Sequence, residues 1–139
     1  MAEKKYDIAA AYRIYPKVSK VPPVFSDDKY LLSELCFKSF ADAAADLRVK
    51  LFVILDSCPE NYKDIFRDNW KDSIEFIEME RAGNPMTFKK QSDVLAYQDF
   101  ADWVYFAEDD YFYLPNALNK TYHFLKNNPD ADFASAYDH

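Results

Sequence analysis

The run Val49-Lys50-Leu51-Phe52-Val53-Ile54-Leu55 is apolar at all but one position and stops at Asp56-Ser57-Cys58-Pro59. Strict alternation would mark a strand with one wet face. A near-continuous apolar run marks a strand covered on both faces, the pattern of a parallel sheet sandwiched by helices. The remaining chain has the matching spacing. Asp7 to Ala11 reads as a short buried strand running into a loop, Tyr12-Arg13-Ile14-Tyr15-Pro16. After Pro22 and Pro23, Ser26 reads as a helix N-cap with Asp27 and Asp28 in the first turn. Leu32, Leu35, Cys36, Ser39, Phe40 and Ala43 then recur at helical spacing. A short helix over Glu60 to Arg67 and a half-open strand over Ile74 to Glu78 follow. Next come a turn at Gly83-Asn84-Pro85, a helix from about Thr87 to Phe100 and a strand from Trp103 to Ala107. A helix opened by Pro115 runs to about Asn127, and Phe133 to Tyr137 reads as a last strand. This order predicts an α/β fold, Rossmann-like, with a mostly parallel central sheet of βαβ units and helices on both faces. One domain over 1–139 suits the length.

In such sheets ligands bind outside the carboxyl ends of the strands. Two strands here end there in acid: one at Asp56, the other at Glu108-Asp109-Asp110. Three adjacent carboxylates cannot all ionise in a buried setting without a cation or solvent, so the cluster reads as a divalent-metal site. Hard cations such as Mn²⁺ and Mg²⁺ take carboxylate oxygens and bridge to substrate phosphates. Gly83 is the only glycine, which excludes the glycine-rich loops that cradle phosphates in P-loop and dinucleotide-binding proteins. The net charge of −7 and the lack of a Lys/Arg stripe argue against a nucleic-acid partner. An acidic protein still binds an anionic substrate where a metal reverses the local charge. There is no signal-peptide pattern and no segment fit to span a membrane. Cys36 and Cys58 form neither a disulfide framework nor a zinc spacing, so both read as reduced thiols of a cytoplasmic protein.

The aromatic strand, the Glu108-Asp109-Asp110 triplet and the Leu114-Pro115-Asn116-Ala117-Leu118 helix start together resemble the acid-x-acid signature of nucleotide-sugar glycosyltransferases with the GT-A fold, of the family 2 type. The resemblance extends in element order over nearly the whole chain, with Glu replacing the usual first Asp. It implies a metal-dependent transfer of a sugar from a nucleoside-diphosphate donor, most simply a UDP-sugar, to an acceptor hydroxyl. By the same matching, Asp110 and Glu108 are the metal ligands. Asp56, Arg13, Tyr12, Tyr15 and Asp109 are the nucleotide-sugar contacts, and Mn²⁺ or Mg²⁺ is the cofactor. Tyr12, Arg13 and Tyr15 fall where the family's first loop wraps the nucleotide, although their wording departs from the common one. Arg81-Ala82-Gly83-Asn84 is similar to the family's loop before the third main helix, without its usual continuation. Enzymes of this type usually continue for roughly another hundred residues, given an ordinary α/β domain size. The chain therefore resembles the nucleotide-binding half, lacking the acceptor-binding part.

Each signal has a plainer reading. The acid triplet could be a solvated turn, and Asp56 could bond its own loop. Lys89 and Lys90 read as a solvated helix face, and His123 as structural or exposed. Asp138-His139 is a metal-capable pair at a terminus. Tyr105, Phe106, Tyr111, Phe112 and Tyr113 read as core and site wall. A competing function is a non-catalytic nucleotide-binding or assembly module whose exposed sheet edge invites dimerisation. A phosphoacceptor receiver domain needs an acidic pair after its first strand, where this chain has Tyr12-Arg13-Ile14-Tyr15.

Overall fold

The computed structural model describes residues 3–18 and 22–135. Four parallel strands, β1 (Ile8–Ile14), β2 (Val49–Asp56), β3 (Ile74–Met79) and β4 (Trp103–Glu108), form one sheet in the order β3-β2-β1-β4. Among the described residues four helices connect and follow them: α1 (Lys29–Ala43), α2 (Tyr62–Arg67), α3 (Gly83–Tyr97) and α4 (Ala117–Asn127). Chain order moves outward from β1 through β2 to β3, then returns to β4 on the other side of β1. The sheet thus has a switch point between β1 and β4, where α/β proteins open a crevice for ligands.

The two faces differ. On one, Tyr12 sits at the centre of an aromatic cluster with Phe37 and Phe40 of α1 and Phe66 of α2, all edge-on at 5.3–5.5 Å between centroids. Leu118 and Tyr122 of α4 complete that layer. The other face carries α3, with Leu95 against Ala9, Ala11, Phe52 and Ile54. Lys50, the one charge in the β2 run, lies on this second face. It stays there by laying its stem along Phe100, with its ammonium 4.6 Å from the ring centroid and 3.6 Å from Glu75. Two polar bolts hold the layers. Gln91, fully buried on α3, donates from Nε2 to the carbonyls of Ala11 (2.7 Å) and Ala107 (3.1 Å), tying α3 to β1 and β4. Lys71 donates to the carbonyls of Ala44, Ala45 and Leu47 at 2.6–2.9 Å, closing the C-terminal end of α1.

Several boundaries differ from the sequence expectation. β1 runs on to Ile14, so Tyr12 and Arg13 belong to the strand and not to a loop. The reason is the alternation Ile8, Ala10, Tyr12, Ile14, whose side chains all enter the aromatic face. Asp28, not Ser26, caps α1, its carboxylate accepting the Leu31 N–H at 3.0 Å. Gly83-Asn84-Pro85 forms the first turn of α3 instead of a turn before it. Asn116, at φ 61°, precedes α4, which starts two residues after Pro115. Phe133 to Ser135 form no strand, and the rest of that predicted element, with Asp138 and His139, lies outside the described residues. Among the described residues no helix is long and apolar enough to cross a membrane.

Candidate functional site

The register that pairs Arg13 with Glu108 and Ile14 with Leu55 brings the ends of β1, β2 and β4 to one edge. A cleft of about 1190 Å³ opens there, lined among others by Arg13, Lys29, Asp56, Arg81, Glu108 and Asp110. Asp56 and the acid triplet share this edge, as the strand pattern required.

The three acids are not equivalent. Glu108, the last residue of β4, receives both of its carboxylate contacts from Arg13 Nε, at 2.9 and 2.7 Å. Arg13 is fixed in turn through Nη1 to the Asn84 carbonyl (3.1 Å) and Thr87 Oγ1 (3.2 Å) at the start of α3. Burial pushes the Glu108 carboxyl up, and Arg13 opposes it. Asp109 turns inward. Its Oδ2 lies 2.8 Å from the Lys29 ammonium and accepts the Tyr15 N–H at 3.0 Å. Burial raises its pKa as well, against the pull of Lys29. Asp110 alone faces the cleft with no cation or hydrogen-bond donor on it among the described residues. Two of the acids are paired with a cation inside the protein, and all three line the cleft.

Asp56 is buried, and its oxygens are already engaged. Oδ1 accepts the Ala82 N–H and Oδ2 the Gly83 N–H, both at 3.0 Å, and Ser57 Oγ donates to Oδ1 at 3.2 Å. The carboxylate thereby caps α3 from the end of β2, where the loop after that strand meets the loop before the helix, and lies against the positive end of the helix. The two loops are sewn together further by Ser57 Oγ, which accepts the Arg81 N–H at 2.8 Å. This tight path sets Ser57, Arg81 and Gly83 at φ 57°, 50° and 77°. The single glycine thus occupies one of the three left-handed positions on this path.

The other predicted contacts separate clearly. Tyr12 is fully buried in the aromatic face, and its ring does not line the cleft. Tyr15 is 45% exposed at the rim. Tyr111 and Phe112 line the cleft as well, whereas Tyr113 is core, with its N–H donated to Ser39 Oγ at 2.9 Å. Lys89 pairs with Asp93 on the exposed side of α3, and His123 is exposed on α4. Cys36 and Cys58 are free thiols, pushed by burial up to about 11 and about 12.

Sequence reasoning missed Lys29, Lys17 and Thr87. Lys29 had a signal: a cation at the first position of a helix opposes the dipole, so it needs a specific anionic partner. Lys17 and Arg81 line the cleft and pair with no carboxylate among the described residues. Those residues hold no group of three or more His, Cys, Asp or Glu arranged to take a metal by themselves.

No family model matches the chain, and no curated protein does. A solved structure from Desulfovibrio desulfuricans G20, provisionally described as a nucleotide-diphospho-sugar transferase, superposes with a TM-score of 0.57 at 17% identity. The match covers 86% of this chain and 54% of that one. The likeness is one of fold. This chain spans about half the length of its structural neighbour.

Proposed function

We propose that the cleft is the donor site of a metal-dependent glycosyltransferase that takes a nucleoside-diphosphate sugar, most simply a UDP-sugar. The observation that carries this reading is the sorting of the acid triplet. Glu108 and Asp109 are each held by an internal cation, so of the three cleft-lining acids Asp110 is the one with no such partner among the described residues. A Mn²⁺ or Mg²⁺ ion bound by a single carboxylate, with phosphate oxygens and water as its other ligands, is a common arrangement for these cations. The donor set therefore fits a metal that arrives with its diphosphate, with Asp110 as the protein ligand and Glu108 orienting the strand end through Arg13. When bound, the cation supplies Lewis-acid stabilisation of charge on the leaving diphosphate. Lys17 and Arg81 add positive charge to the same cleft without carboxylates to satisfy first. The acceptor hydroxyl needs a general base, and Asp110 is excluded from that part if it ligates the metal. Two free thiols suit a reducing compartment such as the cytoplasm.

The test is a calorimetric titration of UDP into the chain with and without Mn²⁺, repeated on Asp110→Ala. Binding that needs Mn²⁺ and falls at least about tenfold on substitution supports the reading, since a tenfold loss is about 1.4 kcal/mol. Binding unchanged by Asp110→Ala overturns it.

A second reading, an assembly module, draws on the sheet edges. The β3 edge is blunted by Glu75 and Glu78, while β4 presents Val104 and Phe106, 43% and 42% exposed, beside an exposed Phe88 stacked on Phe106 at 5.8 Å. An apolar open edge favours pairing with another strand, for which a second copy is the simplest source. A concentration-independent monomer in sedimentation would remove this reading.

A further inference from the structure

Lys29 is the first residue of α1, where the helix's own positive end disfavours a cation. Its ammonium is nevertheless drawn inward. The side chain keeps only 10% of its exposure, and that of Asp109, its partner, only 13%. The oxygen that meets Lys29 at 2.8 Å is the same one that accepts the Tyr15 N–H at 3.0 Å. One carboxylate oxygen therefore joins three elements: the end of β1, the start of α1 and the loop after β4. Of the described residues between Tyr15 and Lys29, Val18, Pro22 and Val24 line the cleft. Tyr15 and Lys29 are both fastened to Asp109, and the next residue is Asp110.

We propose that Lys29 and Asp109 are positioning residues, an internal ion pair that fastens the start of α1 and the end of β1 to the acidic loop and so sets the Asp110 carboxylate over the cleft. Its functional consequence rests on the donor-site reading; its mechanics do not. The pair acts through Asp110. Arg13 and Glu108 do the corresponding work one residue earlier, on the other side of the sheet edge, which leaves the loop pinned from both sides.

Lys29→Met alone leaves Asp109 buried and uncompensated, which risks unfolding the chain. The decisive variant is therefore the double substitution Lys29→Met/Asp109→Asn, which removes both charges and keeps an amide oxygen for the Tyr15 N–H. Two readouts are needed. In amide hydrogen exchange of the unliganded chain, residues 110–112 and Tyr15 should exchange at least about tenfold faster in the double variant, with β2 and α3 unchanged. In the Mn²⁺-UDP titration the double variant should bind about tenfold or more weakly, as expected for a misplaced ligand group, while Lys29→Arg stays within about threefold of the native chain. Native-like exchange in that stretch overturns the latch whatever the nucleotide does. Faster exchange with undiminished affinity overturns the positioning role. If the native chain binds no Mn²⁺-UDP, the donor-site reading fails by itself, and exchange alone decides the latch.

Discussion

Asp56 offers the sharpest test of what the acids at this sheet edge are for. If its carboxylate is the cap of α3, removing it must destabilise the chain with no nucleotide present. Asp56→Ala strips the acceptor from two backbone N–H groups, those of Ala82 and Gly83, each now bonded at 3.0 Å. Hydrogen bonds to a charged group contribute about 1.5–3 kcal/mol each, and loss of an N-cap costs about 0.5–2 kcal/mol. These overlap and do not add, so the expected loss is about 3–4 kcal/mol. Asp56→Asn keeps one oxygen but points an amide N–H at the second donor, and should lose about half as much. Against a total of about 5–15 kcal/mol the Ala variant is still folded but visibly weakened. Urea denaturation followed by far-UV circular dichroism reads this directly. With a slope of about 2 kcal/mol per M, the midpoint should fall by about 1.5–2 M for Ala. A nucleotide-free Asp56→Ala chain within about 0.5 kcal/mol of the native one would refute the cap, because that is the range of a substitution touching nothing. A gain in stability would point instead to a carboxylate kept in a strained state for a ligand.

Lys71→Met should lower stability by about 1–2 kcal/mol, since three carbonyls at the end of α1 lose a shared charged donor; the urea midpoint reports it. For Gln91 the order of variants matters: Leu should cost about 1–2 kcal/mol, whereas Glu, which cannot donate and brings a buried charge, should cost more. Thermal melts in the reverse order would contradict the bolt. Burial alone would push the Asp7 carboxyl up, but hydrogen bonds from Arg48 more than offset it and hold its pKa below the usual range. Because the folded pKa is the lower one, this contribution is complete above pH of about 4 and fades as pH falls through the folded value. Urea midpoints of Asp7→Asn and the native chain should therefore differ at pH 6 and converge in strong acid. Finally, with pKa values raised to about 11 and about 12, Cys36 and Cys58 should resist alkylation at pH 8 until urea is added. Rapid labelling of the native chain would show that the thiols are less enclosed.

The layered α/β order was legible because burial on both faces leaves a mark on composition: β2 could hardly be anything else. Asp56 and Glu108 could be placed on one edge from alternation alone. Where local pattern and tertiary packing compete, the sequence misleads. Tyr12 looked like a loop tyrosine, but β1 continues three residues past Ala11 and buries it among Phe37, Phe40 and Phe66. The sorting of the acid triplet was out of reach, since Arg13 and Glu108 are 95 positions apart, and the partner of Asp109 lies at the start of a different helix. Which acid of three is left open depends on these distant pairings and on no feature of the triplet itself.

The left-handed positions at Ser57 and Arg81 have a consequence for how such a chain would change under selection. A non-glycine residue held there costs on the order of 1 kcal/mol that glycine would not. Replacement of Arg81 by glycine is thus an available route to a more heat-resistant protein, and it would delete a cation from the cleft in the same step. Screening a library for thermal tolerance alone should enrich that loss early, while a screen that also demands ligand retention should hold arginine in place. The ratio of glycine to arginine recovered at this one position would then measure how strongly the cleft is used.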